Sequence, residues 1–249
     1  MSEIQFIGTS SGFAEKERFH SQIVLKTNRY NLLFDTPDGC TKALFYADLR
    51  FDEIDGIVIT HFHPDHVSGL ASLIQQMKLS RRRKRLDIFV HDKLKNALYK
   101  LLALTYIFLD KLNFRIEITT FDNGDIVQVS KNIAFRVFDN SHIKNKRNVV
   151  IPEVEFISSS FLVETENGNF VYTSDVGDEN DLFIFPRVPL EFYISEFTHI
   201  DFSAFEKIAE IYKPGKILLT HYLRADAEKH VSKENVLFVR DGESLSLSR

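Results

Sequence analysis

The segment "IVITHFHPDHVSGL" at residues 57–70 places three histidines and an aspartate within six positions. His61 and His63 are two residues apart, so they project to the same side of an extended strand end. The proline that follows cannot continue a strand ladder, and Asp65 and His66 come next, at the predicted start of a helix. Imidazole nitrogens combined with a carboxylate suit zinc or a related first-row metal. The segment therefore predicts a metal site.

Four donors on one short loop fall into two groups and cannot close a tetrahedral site by themselves, so further ligands must come from elsewhere in the chain. The candidates are His142 in "FDNSHIK", Asp175 in "VYTSDVG" and His221 in "ILLTHY". Each follows a strand-like run directly, and functional residues of α/β proteins gather at that end of the strands.

The bulk composition is that of an ordinary globular protein: 249 residues, 44% hydrophobic and 27% charged, with 23 Phe and no Trp. The net charge of −4 gives no overall attraction to nucleic acid. The single cysteine, Cys40, excludes an intramolecular disulfide and favours a reducing compartment. Neither a signal peptide nor an apolar run of membrane-spanning length is visible, so a cytoplasmic protein without a membrane segment is expected.

No repeat or Pro/Gly/Ser-rich linker divides the chain, so residues 1–249 are predicted to form one domain. Strand-like and helical patterns alternate in both halves, which favours a layered α/β architecture. The predicted strands cover 3–8, 22–27, 30–35, 56–62, 86–91, 114–120, 125–129, 133–138, 157–165, 168–174, 191–196 and 216–221. The predicted helices cover 37–47, 67–79, 92–110 and 201–212.

These residues together resemble the metallo-β-lactamase superfamily over nearly the whole chain. The resemblance implies an αββα four-layer sandwich with two divalent metal ions at one edge, zinc being the first expectation and manganese or iron the alternatives. It also implies the ligands of the two ions: His61, His63 and His142 for one, Asp65, His66 and His221 for the other, and Asp175 as the bridge.

Within the superfamily, three segments resemble ribonuclease Z and its phosphodiesterase relatives. They are "FIGTSSGFAEKERFHSQIVLKT" (6–27), "LLFDTPDGCTKAL" (32–44) and "SEFTHIDFSAFEKIAEIYKPGKILLTHY" (195–222). On this match Glu196 corresponds to the family's glutamate and His199 to its phosphate-facing histidine. The long arm that grips transfer RNA in ribonuclease Z has no visible counterpart.

The resemblance implies hydrolysis by a bridging hydroxide, because two metal ions lower the pKa of a shared water toward ~7. Asp65 would orient or deprotonate that water, and His199 would assist the reacting oxygen or the leaving group. Glu196 would hold the tautomer of His199. Asp35 would brace the ligand loop through hydrogen bonds, although an aspartate before Thr36 can also simply form a turn.

Several polar residues are candidates for contacting substrate. Ser10 and Ser11 lie in a Gly/Ser loop that could donate to a phosphate, although such a loop is more often only a turn. The cations expected near the mouth of the site are Arg18, Lys144, Lys146, Arg147 and Arg224.

The leading hypothesis is a binuclear-metal hydrolase acting on a phosphodiester, either a ribonuclease Z-like nuclease or a cyclic-nucleotide-type phosphodiesterase. The expected partner is therefore a nucleotide or nucleic acid, and a homodimer is expected by analogy. The alternatives are a carbon-centred hydrolase, such as a lactonase, thioesterase or β-lactamase, and a non-catalytic binding protein on the same fold. A β-lactamase of the subgroup with a cysteine ligand is disfavoured, because Cys40 lies too early in the chain.

Overall fold

A computed structural model describes residues 2–144, 149–230 and 235–247. The strands in chain order are β1 Ser2–Gly8, β2 Gln22–Lys26, β3 Asn31–Phe34, β4 Gly56–Val58, β5 Leu86–His91, β6 Ile116–Phe121, β7 Ile126–Ser130, β8 Ile133–Asp139, β9 Ser159–Thr165, β10 Gly168–Tyr172, β11 Phe192–Glu196, β12 Lys216–Thr220, β13 Val236–Phe238 and β14 Ser244–Leu247. The α-helices are α1 Cys40–Tyr46, α2 Pro64–Val67, α3 Leu70–Leu79, α4 Lys95–Leu104, α5 Ser203–Tyr212 and α6 Arg224–Ala227. Short 3₁₀ turns occupy Asp92–Leu94, Leu109–Lys111 and Glu179–Phe183.

The strands form two mixed sheets. In the described residues the first sheet has the order β14-β1-β2-β3-β4-β5-β6, and the second has the order β13-β12-β11-β10-β9-β8-β7. Strands β3 to β6 run parallel to one another, as do β10 to β13. The carboxyl ends of these parallel strands therefore open onto an edge of each sheet, where loops can carry functional side chains.

Three apolar clusters define four layers. The central cluster lies between the sheets and is rich in phenylalanine: the ring of Phe161 lies 5.3–5.8 Å from those of Phe34, Phe121 and Phe135. A second cluster packs the outer face of the first sheet against α1, α3 and α4. A third packs the outer face of the second sheet against α5. The αββα prediction is confirmed.

Some predicted boundaries are wrong, and the ligand loop supplies the physical reason for two of them. The strand predicted at 56–62 leaves the ladder early, because the backbone N–H of Thr60 donates to the carboxylate of Asp35 at 2.9 Å. The helix predicted from Val67 begins at Pro64, where a missing N–H has no cost. Asp65 and His66 are thus held on a helical turn.

The helix predicted at 92–110 is also wrong in length. Its α-helical part ends at Leu104, and Tyr106 adopts a left-handed backbone conformation with φ 60°. The side chains of Leu104 and Tyr106, which fall within the predicted range, are exposed. In the part of the chain that the structure describes, no helix has the length and hydropathy to span a bilayer.

Candidate metal centre

Two groups of metal-binding donor atoms meet at one edge of the sandwich. Within each group the donor atoms all lie within 4.8 Å of one another, and Asp175 belongs to both groups. The first group is His61, His63, His142 and Asp175; the second is Asp65, His66, Asp175 and His221. The seven residues nominated from the sequence are therefore brought together, although they come from loops of both sheets.

The donor set fits a divalent metal ion. Nε2 of His61 and Nε2 of His66 are buried, and neither makes a hydrogen bond to any described part of the chain. Nε2 of His66 lies 3.4 Å from Oδ2 of Asp175, but without hydrogen-bond alignment. Buried polar atoms are seldom left without partners, and imidazole nitrogens beside carboxylates are the ligands that zinc-like ions prefer.

Three strand ends beside the centre turn through a strained backbone conformation. Asp35 follows β3 with φ 65°, Ser174 precedes Asp175 with φ 53°, and His221 follows β12 with φ 50°. Left-handed conformations are costly for residues other than glycine, and they gather where function over-determines the backbone. The turns redirect the chain at the edge of each sheet and so aim the side chains into the shared centre.

Hydrogen bonds at Nδ1 with residues outside the donor groups orient His66, His142 and His221. Nδ1 of His66 lies 2.8 Å from Oδ2 of Asp35, which fits the bracing role predicted for that carboxylate. Nδ1 of His142 lies 3.4 Å from the carbonyl oxygen of Val176, and Nδ1 of His221 lies 3.2 Å from Oγ1 of Thr198. When Nδ1 carries the proton, Nε2 presents its lone pair to the centre, as metal ligation requires.

Charge within the centre divides the histidines into two sets. Burial lowers the pKa of His61, His63 and His142 below the ordinary histidine value. For His66 and His221, burial opposes protonation, but the carboxylates nearby, chiefly that of Asp175, raise the pKa above the ordinary value. Without a cation, protons on these two imidazoles balance the buried negative charge.

Metal affinity is expected to rise with pH. Because the pKa values of His66 and His221 are raised, the metal-free protein holds protons that an incoming ion must displace. Titrating metal at about pH 6 and at about pH 8 should therefore give tighter binding at the higher pH. Proton release, measured with an indicator dye in weak buffer, should accompany binding; affinity that is independent of pH would contradict these protonation states.

Glu196 and His199 form a pair at the rim of the centre. Nδ1 of His199 lies 2.7 Å from Oε1 of Glu196, and this hydrogen bond raises the pKa of His199 above the ordinary value. Oε2 of the buried Glu196 accepts hydrogen bonds from the backbone N–H groups of Thr198 and His199. The ring of His199 is 40% exposed and lies 5.2 Å from the ring of His142, so it faces both solvent and the donor cluster.

The serines nominated for substrate binding lie in a closed loop. Ser10 and Ser11 are buried. The hydroxyl of Ser10 lies 3.2 Å from both Phe13 O and Oε2 of Glu15, and that of Ser11 accepts from the N–H of Phe13. Their hydroxyls are thus engaged inside the loop in this conformation.

Arg18 joins two loops beside the centre. Its guanidinium donates to the carbonyl oxygen of Tyr222 at 2.9 Å and to Oγ1 of Thr9 at 2.9 Å, and it pairs with Glu15. It also lies over the ring of Tyr222, 4.2 Å from the centroid. These contacts make Arg18 a brace for the residue that follows His221.

Of the other cations nominated for substrate, Arg224 and Lys144 lie within the described residues. Arg224 and Arg18 line a cavity of about 550 Å³ beside Tyr222. Lys144 is exposed two residues after His142. Lys146 and Arg147 lie outside the described residues.

Two contacts that the sequence did not reveal also shape the centre. The buried carboxylate of Asp181 accepts hydrogen bonds at 2.8–2.9 Å from Ser141 N, Ser141 Oγ and Gly177 N, and so ties the His142 loop to the Asp175 loop. Gly12 lies against Asp65: a Cβ there would be 2.8 Å from the Asp65 carboxylate. A side chain at this position would have to displace the Asp65 carboxylate, whereas glycine lets the loop lie against it.

Comparison with known proteins gives a consistent relationship. A family model described as Anti-Pycsar protein Apyc1 matches residues 2–245. Ribonuclease Z of Methanococcus aeolicus is 26% identical over 197 residues, and the match covers 70% of this chain and 60% of that protein. Anti-Pycsar protein Apyc1 of Bacillus phage BSP38 is 29% identical over 160 residues, covering 60% of this chain and 62% of that protein. The chain thus spans about 60% of the length of these relatives.

The fold has a close counterpart among solved structures. The metallo-β-lactamase fold protein YhfI of Bacillus subtilis superposes with a TM-score of 0.77 at 18% identity, over 98% of both chains. The two sheets with their edge cluster of histidines and aspartates thus define a protein of the metallo-β-lactamase fold. Within that class, the chain belongs to the Anti-Pycsar protein Apyc1 family. The predicted kinship with the ribonuclease Z group is confirmed.

Proposed function

We propose that this chain is a metal-dependent phosphodiesterase. The observation that carries the proposal is the pair of donor groups sharing Asp175, because that arrangement suits two cations at bridging distance. His61, His63 and His142 would hold one ion, Asp65, His66 and His221 the other, and Asp175 would bridge them. Zinc suits the nitrogen-rich set; manganese or iron would also accept these ligands.

Bound ions of this kind would activate a water and neutralise charge that develops on a phosphoryl oxygen. The protein's own residues supply the remaining functions. Asp65, which is partly exposed, lies beside both His66 and His221 and would orient the attacking water. His199, whose pKa is raised by Glu196, would donate a proton or hydrogen bond to the departing oxygen.

A phosphodiester substrate is supported by the relatives. Ribonuclease Z is named for cutting RNA, whose backbone is a phosphodiester, and it aligns over 70% of this chain. The substrate that we infer is accordingly a nucleotide or a nucleic acid. His199, which is half-exposed at the rim, can be reached by a nucleotide or by a nucleic acid.

A substrate panel tests this function. Metal-loaded protein should hydrolyse bis(p-nitrophenyl) phosphate, and chelation should abolish the activity. A cyclic nucleotide and a single-stranded RNA, assayed in parallel, would then distinguish a small-molecule enzyme from a nuclease. Hydrolysis of a lactone, a thioester or a cephalosporin in place of all three phosphodiesters would overturn the proposal in favour of a carbon-centred hydrolase. Metal binding without any hydrolysis would favour a binding protein.

A further inference from the structure

Thr60, which precedes the first histidine of the ligand loop, is the centre of a buried hydrogen-bond network. Its Oγ1 lies 2.9 Å from Oδ2 of Asp35, 3.0 Å from Nδ1 of His61 and 2.8 Å from Oγ of Ser174. Thr60, Asp35, His61 and Ser174 are all buried. The network spans both sheets, because Thr60 follows β4 and Ser174 follows β10.

The chemistry of the three partners dictates where each proton lies. A hydroxyl has one proton to donate and two lone pairs to accept with. Ser174 donates to Thr60, and the carboxylate of Asp35 can only accept, so the Thr60 proton points to Asp35. The second lone pair of Thr60 is then left for His61, whose Nδ1 must carry a proton to fill it.

The same carboxylate connects Thr60 to the second donor group. Oδ2 of Asp35 accepts from Thr60 Oγ1 and also from Nδ1 of His66. Both His61 and His66 are thereby held with the proton on Nδ1. Their Nε2 atoms, which are both buried and make no hydrogen bond to the described chain, face the centre: His61 presents a lone pair there, and His66 does so once an incoming ion has displaced its Nε2 proton.

We propose that Thr60 is a positioning residue that fixes the ligating tautomers of His61 and His66 together, through its own hydroxyl and through Asp35. This inference rests on the proposed metal site, since it concerns how that site is prepared for an ion. It assigns to one hydroxyl a role in both donor groups, with Ser174 supplying the proton that orients it.

Histidine spectra of the metal-free protein test the tautomers directly. Long-range ¹H–¹⁵N correlation spectra should show His61 protonated on Nδ1 in the wild type. In Thr60→Val, which removes the hydroxyl at nearly constant volume, His61 should become a mixture of tautomers. Protonation of His61 on Nε2 in the wild-type protein would overturn the proposal, because Thr60 would then be donating to His61. This reading of the wild type holds even if the variant does not fold.

Metal affinity, measured by competition with a chromogenic chelator, supplies the second readout. Thr60→Val should weaken binding by about 10–100-fold, as loss of a partner behind a ligand typically does, and Thr60→Ser should bind within about threefold of wild type. The matched control is Thr36→Val: Thr36 is also buried, and its Oγ1 has no hydrogen-bond partner in the described chain. That control should leave affinity unchanged.

Two results would overturn the proposal: wild-type affinity in Thr60→Val, or an equal loss in Thr36→Val. Failure of the proposed function is distinguishable from either. A wild-type protein that binds metal but cleaves no phosphodiester would refute the activity, while the tautomer and affinity comparisons would still decide the role of Thr60.

Discussion

Replacing Asp175 with asparagine is expected to strip the centre of metal and to slow phosphodiester hydrolysis by about a thousandfold or more, since metal stabilisation of charge is worth several kcal/mol. Oδ2 of Asp175 lies 3.4 Å from Nε2 of His66, 3.5 Å from that of His142 and 3.3 Å from that of His221. An asparagine keeps the shape but lacks the charge to hold two cations together. Metal content by elemental analysis and initial rates with bis(p-nitrophenyl) phosphate measure the effect.

The matched control for this variant is Asp178→Asn. Asp178 is exposed, belongs to neither donor group, and accepts a hydrogen bond from the N–H of Asn180, which asparagine can retain. Its metal content and rate should equal those of the wild type. Full metal occupancy at normal rate in Asp175→Asn would refute the bridging assignment.

Replacing His199 with alanine should have the opposite signature: metal is retained and the rate falls by about a hundredfold to ten-thousandfold, the usual contribution of a positioned acid or base. His199 belongs to neither donor group, yet its ring lies beside His142 and its pKa is raised by Glu196. A raised pKa increases the protonated fraction of the imidazole, and a protonated imidazole can donate a proton to a departing oxygen. Metal analysis and rate measurements on the same preparation separate the two effects.

His230→Ala is the comparison for that variant, because His230 stacks on Phe202 at 4.9 Å and is not part of the donor cluster. It should leave both metal content and rate unchanged. Loss of metal in His199→Ala would place His199 among the ligands. An unchanged rate would refute its role as an acid.

Much of the fold was accessible from the sequence because its signals are local. Alternating and apolar strand runs end in the residues that reach the edge of the sandwich, and the relationship to ribonuclease Z is carried by continuous segments. The strand and helix boundaries that were predicted wrongly depend on contacts with residues far away in the sequence. No local pattern shows that the N–H of Thr60 donates to Asp35, or that Leu104 and Tyr106 are exposed where the α-helix ends.

In the metal centre, too, the features with a local sequence signal could be predicted and the contacts between distant residues could not. Clustered histidines are conspicuous, whereas a threonine or serine at the end of a strand is ordinary. Thr60 meets Ser174 across a sequence separation of 114, and Asp181 meets Ser141 across 40. Arg18 shows the converse problem: a cation near the mouth of a site suggests substrate, but its contacts with Tyr222 and Thr9 appear only in three dimensions.

The donor atoms come from loops of both sheets, and this has a consequence for the stability of the fold. Asp65 and His221 are separated by 156 residues in the sequence, and His63 and His142 by 79. A pair of ions held between them would act as a reversible cross-link that closes two long loops, and long closures restrict the unfolded chain most. Bound cations would thus link the two halves of the sandwich. Their removal would lower the free energy of unfolding as well as abolish hydrolysis.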